Sequence, residues 1–304
     1  MIAGRKLLLG TKERTGLLSY MGLYGILLGM GFVFIYPMLY MISTSFMDTK
    51  DLVDATVAWI PHRVSLEGFA RAARTLHYWE ALRTSLIFSL FPALLQTITL
   101  AFAGYGLGRF EVPLKKVWIG LIVLVFLVPS AVTLIPRYML FNSYGMINTV
   151  WPTMITALGG QGVKSSLFLL IYYQFFSSYP KALDEAAMID GAGRLDVFLR
   201  VAIPLAIPAI VVAFLFSFVW FWNETTQLPL LSGTAARTLP IQLREFASTF
   251  MKYYPDSDVS YGGALNESIR LAGTLLSIAP LLVLYLFLQN HFVQSVERTG
   301  IAGE

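Results

Sequence analysis

The chain has 304 residues, of which 56% are hydrophobic and only 13% charged, with a formal net charge of +4 and a mean hydropathy of +0.66. Water-soluble domains carry about 25% charged residues, so a chain this poor in charge cannot clothe a water-facing surface, and it lacks the basic block that grips nucleic acid. Cysteine is absent, which excludes disulfides and thiolate chemistry, and His62, His77 and His291 stand too far apart for an HExxH pair or a clustered metal site.

The basic start, with Arg5, Lys6, Lys12 and Arg14, precedes a run without charge from Thr15 to Met47. That run is far longer than the roughly 7–15-residue core of a signal peptide, and no small-residue cleavage site closes it. It predicts a first spanning helix over 17–45. A crossing helix takes about 20 mostly apolar residues, and runs of that order recur, predicting further spans over 84–107, 117–136, 163–178, 203–223 and 271–292. The expectation is an all-α integral membrane protein of about six spans, a single transmembrane domain over 1–304.

An even number of spans places both termini on one side. The short loop Arg109–Lys116 carries Arg109, Lys115 and Lys116 and lies on the side of the basic N-terminus, so the positive-inside rule puts that side, and both termini, in the cytoplasm. Gly104, Gly106 and Gly108 precede Arg109 without the lysine and Ser/Thr of a phosphate-cradling loop, and they read as helix packing or termination. The two longer outer loops are dotted with Trp59, Phe69, Tyr78 and Trp79, and with Phe246, Phe250, Tyr253, Tyr254 and Tyr261. Disordered linkers are poor in aromatics, so these loops read as folded, either anchored at the interface or presented to an external partner. Trp151–Leu158, ahead of Gly159, Gly160 and Gly162, reads as a short interfacial or re-entrant helix on the outer side, or as part of one kinked span from Ile147 to Phe176.

The most informative segment is the cytoplasmic loop 177–203. Pro180 suits a first helical turn, and Asp184 and Glu185 suit the positive end of a helix dipole. Ala182, Ala186 and Ile189 share a face, Asp190–Gly191 and Gly193 make a turn, and Leu195, Phe198, Leu199 and Ala202 recur at helical spacing. Two short amphipathic helices thus meet at a tip of Ala186, Ala187, Asp190, Gly191 and Ala192. The hairpin either lies on the lipid headgroups or forms a knob against another protein.

Glu185-Ala186-Ala187, then Gly191, then Val201-Ala202-Ile203-Pro204 resembles the EAA loop of permease subunits in binding-protein-dependent ABC importers, with Val and Ile in place of the usual Ile and Leu. Four spans before the loop and two after it match that family. Tyr144–Thr149, Phe218–Glu224 and the segment from Leu286 are similar to carbohydrate-importer permeases of the maltose and glycerol-phosphate type. The resemblance implies a type I importer permease in the bacterial cytoplasmic membrane, with no cofactor of its own. It also implies the partners: a second permease in a heterodimer, two ATPase subunits that bind ATP and Mg, and an extracytoplasmic solute-binding protein. Glu185, Ala186, Ala187, Asp190, Gly191 and Ala192 would dock on an ATPase, and the tail Gln294–Glu304 would reach between the two ATPases.

Polar residues in spans face the bundle interior, so a sugar path could be built from Tyr172, Tyr173, Gln174, Trp220, Asn223 and Glu224, with Trp222, Gln227, Gln96, Thr97 and Thr99 as further options. The same residues could serve helix–helix hydrogen bonding instead. The alternative reading is an ion-coupled secondary transporter. Against it, no charged residue lies mid-span and no inverted repeat is visible. A membrane-embedded enzyme would need clustered His, Cys or paired carboxylates that the spans lack.

Overall fold

A computed structural model describes the backbone of residues 10–11, 14–15, 17–255 and 265–301, and the side chains of 17, 19–255 and 265–289. Tyr261 and the side chains of the tail therefore lie outside the described residues. The chain opens with a minimal antiparallel ladder, β1 (Gly10–Thr11) on β2 (Arg14–Thr15), and the later regular elements among the described residues are helical. Contacts gather into two compact units, one of residues up to Arg74 with Phe250–Leu276, the other of Thr75–Thr249 with the residues from Ser277 onward.

The first unit is built on α1 (Leu17–Ser45). Its large side chains from Leu17 to Ile42 are nearly all exposed. An apolar surface of this extent needs hydrocarbon or another helix as its solvent. α2 (Thr49–Val53) is capped by Asp48, whose side chain accepts from the Asp51 N–H at 2.8 Å. The buried Asp51 carboxylate reaches His62, accepting from its backbone N–H at 3.0 Å and meeting its ring Nδ1 at 2.9 Å. Trp59 stands edge-on to Tyr36 with ring centres 5.1 Å apart, and Phe69, on α3 (Glu67–Thr75), lies 4.9 Å from Phe46. Ser268 donates to the Ser45 carbonyl at 3.1 Å. Trp59 and Phe69 are thus packing groups.

The second unit centres on α4 (Tyr78–Arg109). α5 (Lys115–Leu127) and α6 (Ser130–Ser143) follow, bent by 94°. The predicted span over 117–136 is therefore corrected to a broken pair. The cause is Pro129, which has no N–H to donate and holds Val128 extended (φ −69°, ψ 122°). α7 spans Trp151–Leu158, the predicted bounds. α8 (Ser165–Ser178) has 14 residues, about 21 Å of rise against the roughly 30 Å of a bilayer core, so 163–178 is too short to cross unaided. After α9 (Ala182–Ile189) comes α10 (Arg194–Trp222), which runs without a break from the loop into the long apolar segment. The predicted start of a span at 203 is corrected to a continuous helix with a π turn at Phe198–Ala202, where the Ile203 N–H donates to the Phe198 carbonyl. Pro204 could not have donated in any case, so the wider turn forfeits little. α11 (Gln227–Ser232), α12 (Leu239–Arg244) and α13 (Phe246–Tyr253) precede α14 (Glu267–Ile301). Among the described residues, four helices are long and apolar enough to cross a membrane, or five if the bent pair is counted as one.

The core of this unit joins α4, α8 and α10 through Leu100, Ala101 and Tyr105, Phe168, Tyr172 and Phe176, and Phe198, Ala202, Ala206 and Ala213. Close approach is set by the glycines of α4. A Cβ on Gly104 would lie 2.4 Å from Tyr172 Cβ, and one on Gly108 would lie 3.0 Å from Phe176 Cβ, whereas Gly106 faces open space. Small residues four apart let two helix backbones meet. Gln96, wholly buried, ties the same three helices by donating to the Val163 carbonyl and Ser217 Oγ, each at 3.1 Å, while Ser165 donates to its Oε1 at 3.3 Å.

Two measurements check this packing. Gly104→Leu should destabilise the detergent-solubilised protein by about 1–3 kcal/mol or more through overpacking, with Gly106→Leu near neutral in the same thermal melts. The His62 ring should titrate above its ordinary value, because the hydrogen bond to Asp51 and then the charge of that carboxylate favour the protonated form. Its contact then stabilises the loop between α2 and α3 fully below the ordinary histidine pKa, and the stabilisation fades as pH rises through the raised one. Asp51→Asn should return the ring to its ordinary titration in NMR.

Candidate functional site

α9 ends in a Schellman turn, with the Ala192 N–H donating to the Ala187 carbonyl and the Gly191 N–H to the Met188 carbonyl, each at 3.0 Å. Gly191 takes φ +87° with no atom within 4 Å of a would-be Cβ, so glycine is favoured here by backbone conformation and not by space. The turn carries exposed apolar side chains: Met188 is 45% and Ile189 86% exposed. Glu185, Ala186, Asp190 and Gly191 are exposed, and Ala187 and Ala192 are half-buried. The sequence-predicted tip residues are thus together on one protruding hairpin, with Met188 and Ile189 as its unpredicted apolar cap.

The base of the hairpin is clamped. Arg109, last residue of α4, keeps only 4% of its side chain exposed and pairs with Asp184, 11% exposed, at 2.7 Å through Nε. Its Nη1 donates to the Tyr179 carbonyl at 3.0 Å and its Nη2 to the Pro180 carbonyl at 3.3 Å. The guanidinium carbon lies 3.6 Å from the centre of the Tyr179 ring, whose hydroxyl donates to the other Asp184 oxygen at 2.8 Å. Burial, then the hydrogen bond to Asp184, push the Tyr179 phenol upward, so it remains a donor. Asp184 was expected only as a dipole-favoured acid beside Glu185. The two acids divide, Asp184 inward onto Arg109 and Glu185 exposed. No local pattern reveals a pair 75 positions apart.

The predicted solute-path residues are not brought together. Tyr172 is wholly buried against α4, Tyr173 and Trp220 are half-buried, and Gln174 and Asn223 are exposed elsewhere. A cavity of about 680 Å³ lies instead among α5, α6, the turn before α8 and the end of α10, and of the six candidates only Glu224 lines it, joined by Gln227. This arrangement follows from the bend at Pro129, against which the cavity lies, and from the closeness of α4 and α8, which shuts Tyr172 away. Glu224 caps α11, its Oε1 accepting from the Thr226 and Gln227 N–H groups at 2.8 Å each. Arg137 and Lys164, not singled out from sequence, also line the cavity. Gln96, Thr97 and Thr99 serve packing: Thr97 is buried, and Thr99 donates to the Leu158 carbonyl at 2.9 Å.

The diacetylchitobiose uptake system permease protein DasC of Streptomyces coelicolor is 27% identical over 88% of this chain and 92% of its own length. The polygalacturonan/rhamnogalacturonan transport system permease protein YtcP of Bacillus subtilis is 26% identical over 92% and 97%, and the trehalose transport system permease protein SugB of Mycobacterium tuberculosis 27% over 88% and 92%. A solved structure of a bacterial ABC transporter involved in the import of the acidic polysaccharide alginate shares the fold, with a TM-score of 0.73 at 20% identity over 90% of this chain and 96% of that one. Residues 100–298, more than half of the sequence, match the family described as "Binding-protein-dependent transport system inner membrane component", and the chain belongs to that family.

Proposed function

We propose that this chain forms half of the translocation pathway of an ATP-driven carbohydrate importer and that the hairpin α9–α10 couples it to a separate ATPase. The relatives named above carry the names of carbohydrate permeases. The observation that carries the coupling role is mechanical. An exposed apolar cap, Met188 and Ile189, stands on a glycine turn whose base is held by the buried Arg109–Asp184 pair. The cap suits insertion into a cleft, and the clamp makes the hairpin a lever that moves with α4 and α10. A hairpin lying passively on headgroups would not need that base.

In this reading the hairpin and both termini are cytoplasmic, and the outer loops meet an extracytoplasmic solute-binding protein. A second permease completes the pathway in a heterodimer, and two ATP-binding cassette subunits hold ATP and Mg. Closure of the ATPases would bias the permease pair between inward- and outward-open states. The chain spans about six times in the bacterial cytoplasmic membrane, with α8 and the broken pair α5–α6 completing the count beside four long helices.

The test is co-purification and uptake. Ile189→Asp should abolish recovery of the ATPase with the permease, because a buried hot spot contributes about 2 kcal/mol or more. Gly191→Val should do the same by straining the turn by about 1–2 kcal/mol, while Gly191→Asn, which tolerates positive φ, retains binding. Arg109→Gln leaves Asp184 without its partner at a penalty of about 3–5 kcal/mol, so hydrogen exchange across 180–193 should rise and uptake fall with membrane insertion intact. Parental uptake by Ile189→Asp and Gly191→Val with the ATPase bound would reduce the hairpin to a surface feature.

A further inference from the structure

The cavity beside the bend at Pro129 carries a charge that a neutral sugar does not require. Arg137, on α6, lines it and donates to the Gln161 carbonyl at 3.1 Å, and Lys164 lines the same wall at the start of α8. Neither cation has a carboxylate within ion-pair distance among the described residues. The one acid of the cavity, Glu224, already receives two backbone N–H groups. Lys164 holds φ +54°, a conformation uncommon outside glycine and found where function or tight packing demands it. Ionisable groups inside a membrane bundle are expensive and face solute or water. Arg137, half-buried, and Lys164, exposed, thus put two positive charges without a carboxylate on the wall of this cavity, and an anionic group on a solute would complement them. The volume, about 680 Å³, falls within the ~300–1,000 Å³ of small-molecule sites.

We propose that this cavity selects carbohydrates bearing a carboxylate, with Arg137 and Lys164 as the groups that receive it. The inference rests on the carbohydrate-importer reading and narrows it to acidic sugars. Arg137 is the stronger recognition group, because its planar fork can take a carboxylate through two parallel N–H bonds, whereas Lys164 offers a point charge. Serine and threonine hydroxyls on the same walls, Thr133 and Ser166 among them, can meet the ring hydroxyls.

The experiment is uptake by proteoliposomes holding the complete transporter with its binding protein, offered short oligogalacturonides and neutral oligosaccharides of equal length. The parental protein should prefer the oligogalacturonides. Arg137→Gln and Lys164→Gln should each lower the acidic-to-neutral uptake ratio about tenfold or more, with Arg137→Lys intermediate. A folding defect would lower both uptakes together and leave the ratio unmoved, and Lys164→Gln, at an exposed position, gives the ratio even where Arg137→Gln fails to assemble. Uptake of neutral sugars with a ratio unchanged by any variant would overturn the acidic-sugar inference and leave the importer reading standing. ATP hydrolysis with no uptake of either class would overturn the carbohydrate reading and this inference with it.

Discussion

Arg109 sits at the C-terminal end of α4 with nearly all of its side chain covered, where its charge complements the helix dipole and its N–H groups meet one carboxylate and two carbonyls. A buried cation is tolerable only when its partners are this complete, because the desolvation penalty of each ion is several kcal/mol. The pair with Asp184 therefore holds the whole 179–184 segment in one place. The aromatic ring of Tyr179 adds its face to the guanidinium and its hydroxyl to the carboxylate. The exposed turn at Gly191 inherits a fixed origin from this base.

Above the clamp the same helix, α4, carries the rest of the second unit. Its glycines at positions 104 and 108 draw α8 to within backbone contact, and Tyr105 packs edge-on to Phe176 at 5.4 Å and against Phe198 at 4.8 Å. In hydrocarbon there is no hydrophobic gain in bringing helices together, so close van der Waals fit and buried hydrogen bonds such as those of Gln96 must hold them. One helix thus sets both the packing of the bundle and the seat of the hairpin α9–α10. A displacement of the hairpin is then felt by α4 and α10 together.

The broken pair α5–α6 has the opposite character. Pro129 ends one helix and turns the next through 94°, and the cavity lies against that elbow. Membrane bundles place irregular backbone where it lines a cavity, because unpaired backbone groups cannot face lipid. The lining mixes aromatic faces, hydroxyls and two cations, the composition expected of a site for a polar solute.

The sequence alone determined what depends on local chemistry. The apolar runs predicted the bounds of α1 and the apolar middle of α4, though not its start at Tyr78, because a helix that must satisfy its own backbone in lipid leaves a contiguous uncharged record. The pattern around Gly191 predicted a short helix, a glycine turn and a second helix, because positive φ selects its residue locally, but not that the second helix continues to Trp222. Trp151–Leu158 was predicted to the residue, bounded by Val150 and Gly159. Tertiary structure alone decided which polar groups meet. Asp184 rather than Glu185 turns inward because Arg109 arrives beside it from a distant helix. Tyr172 is shut into the core because Gly104 admits it, and Arg137 reaches the cavity because the bend at Pro129 turns α6 toward the start of α8. Each of these outcomes depends on a partner far along the chain, and single-residue chemistry carries no record of it.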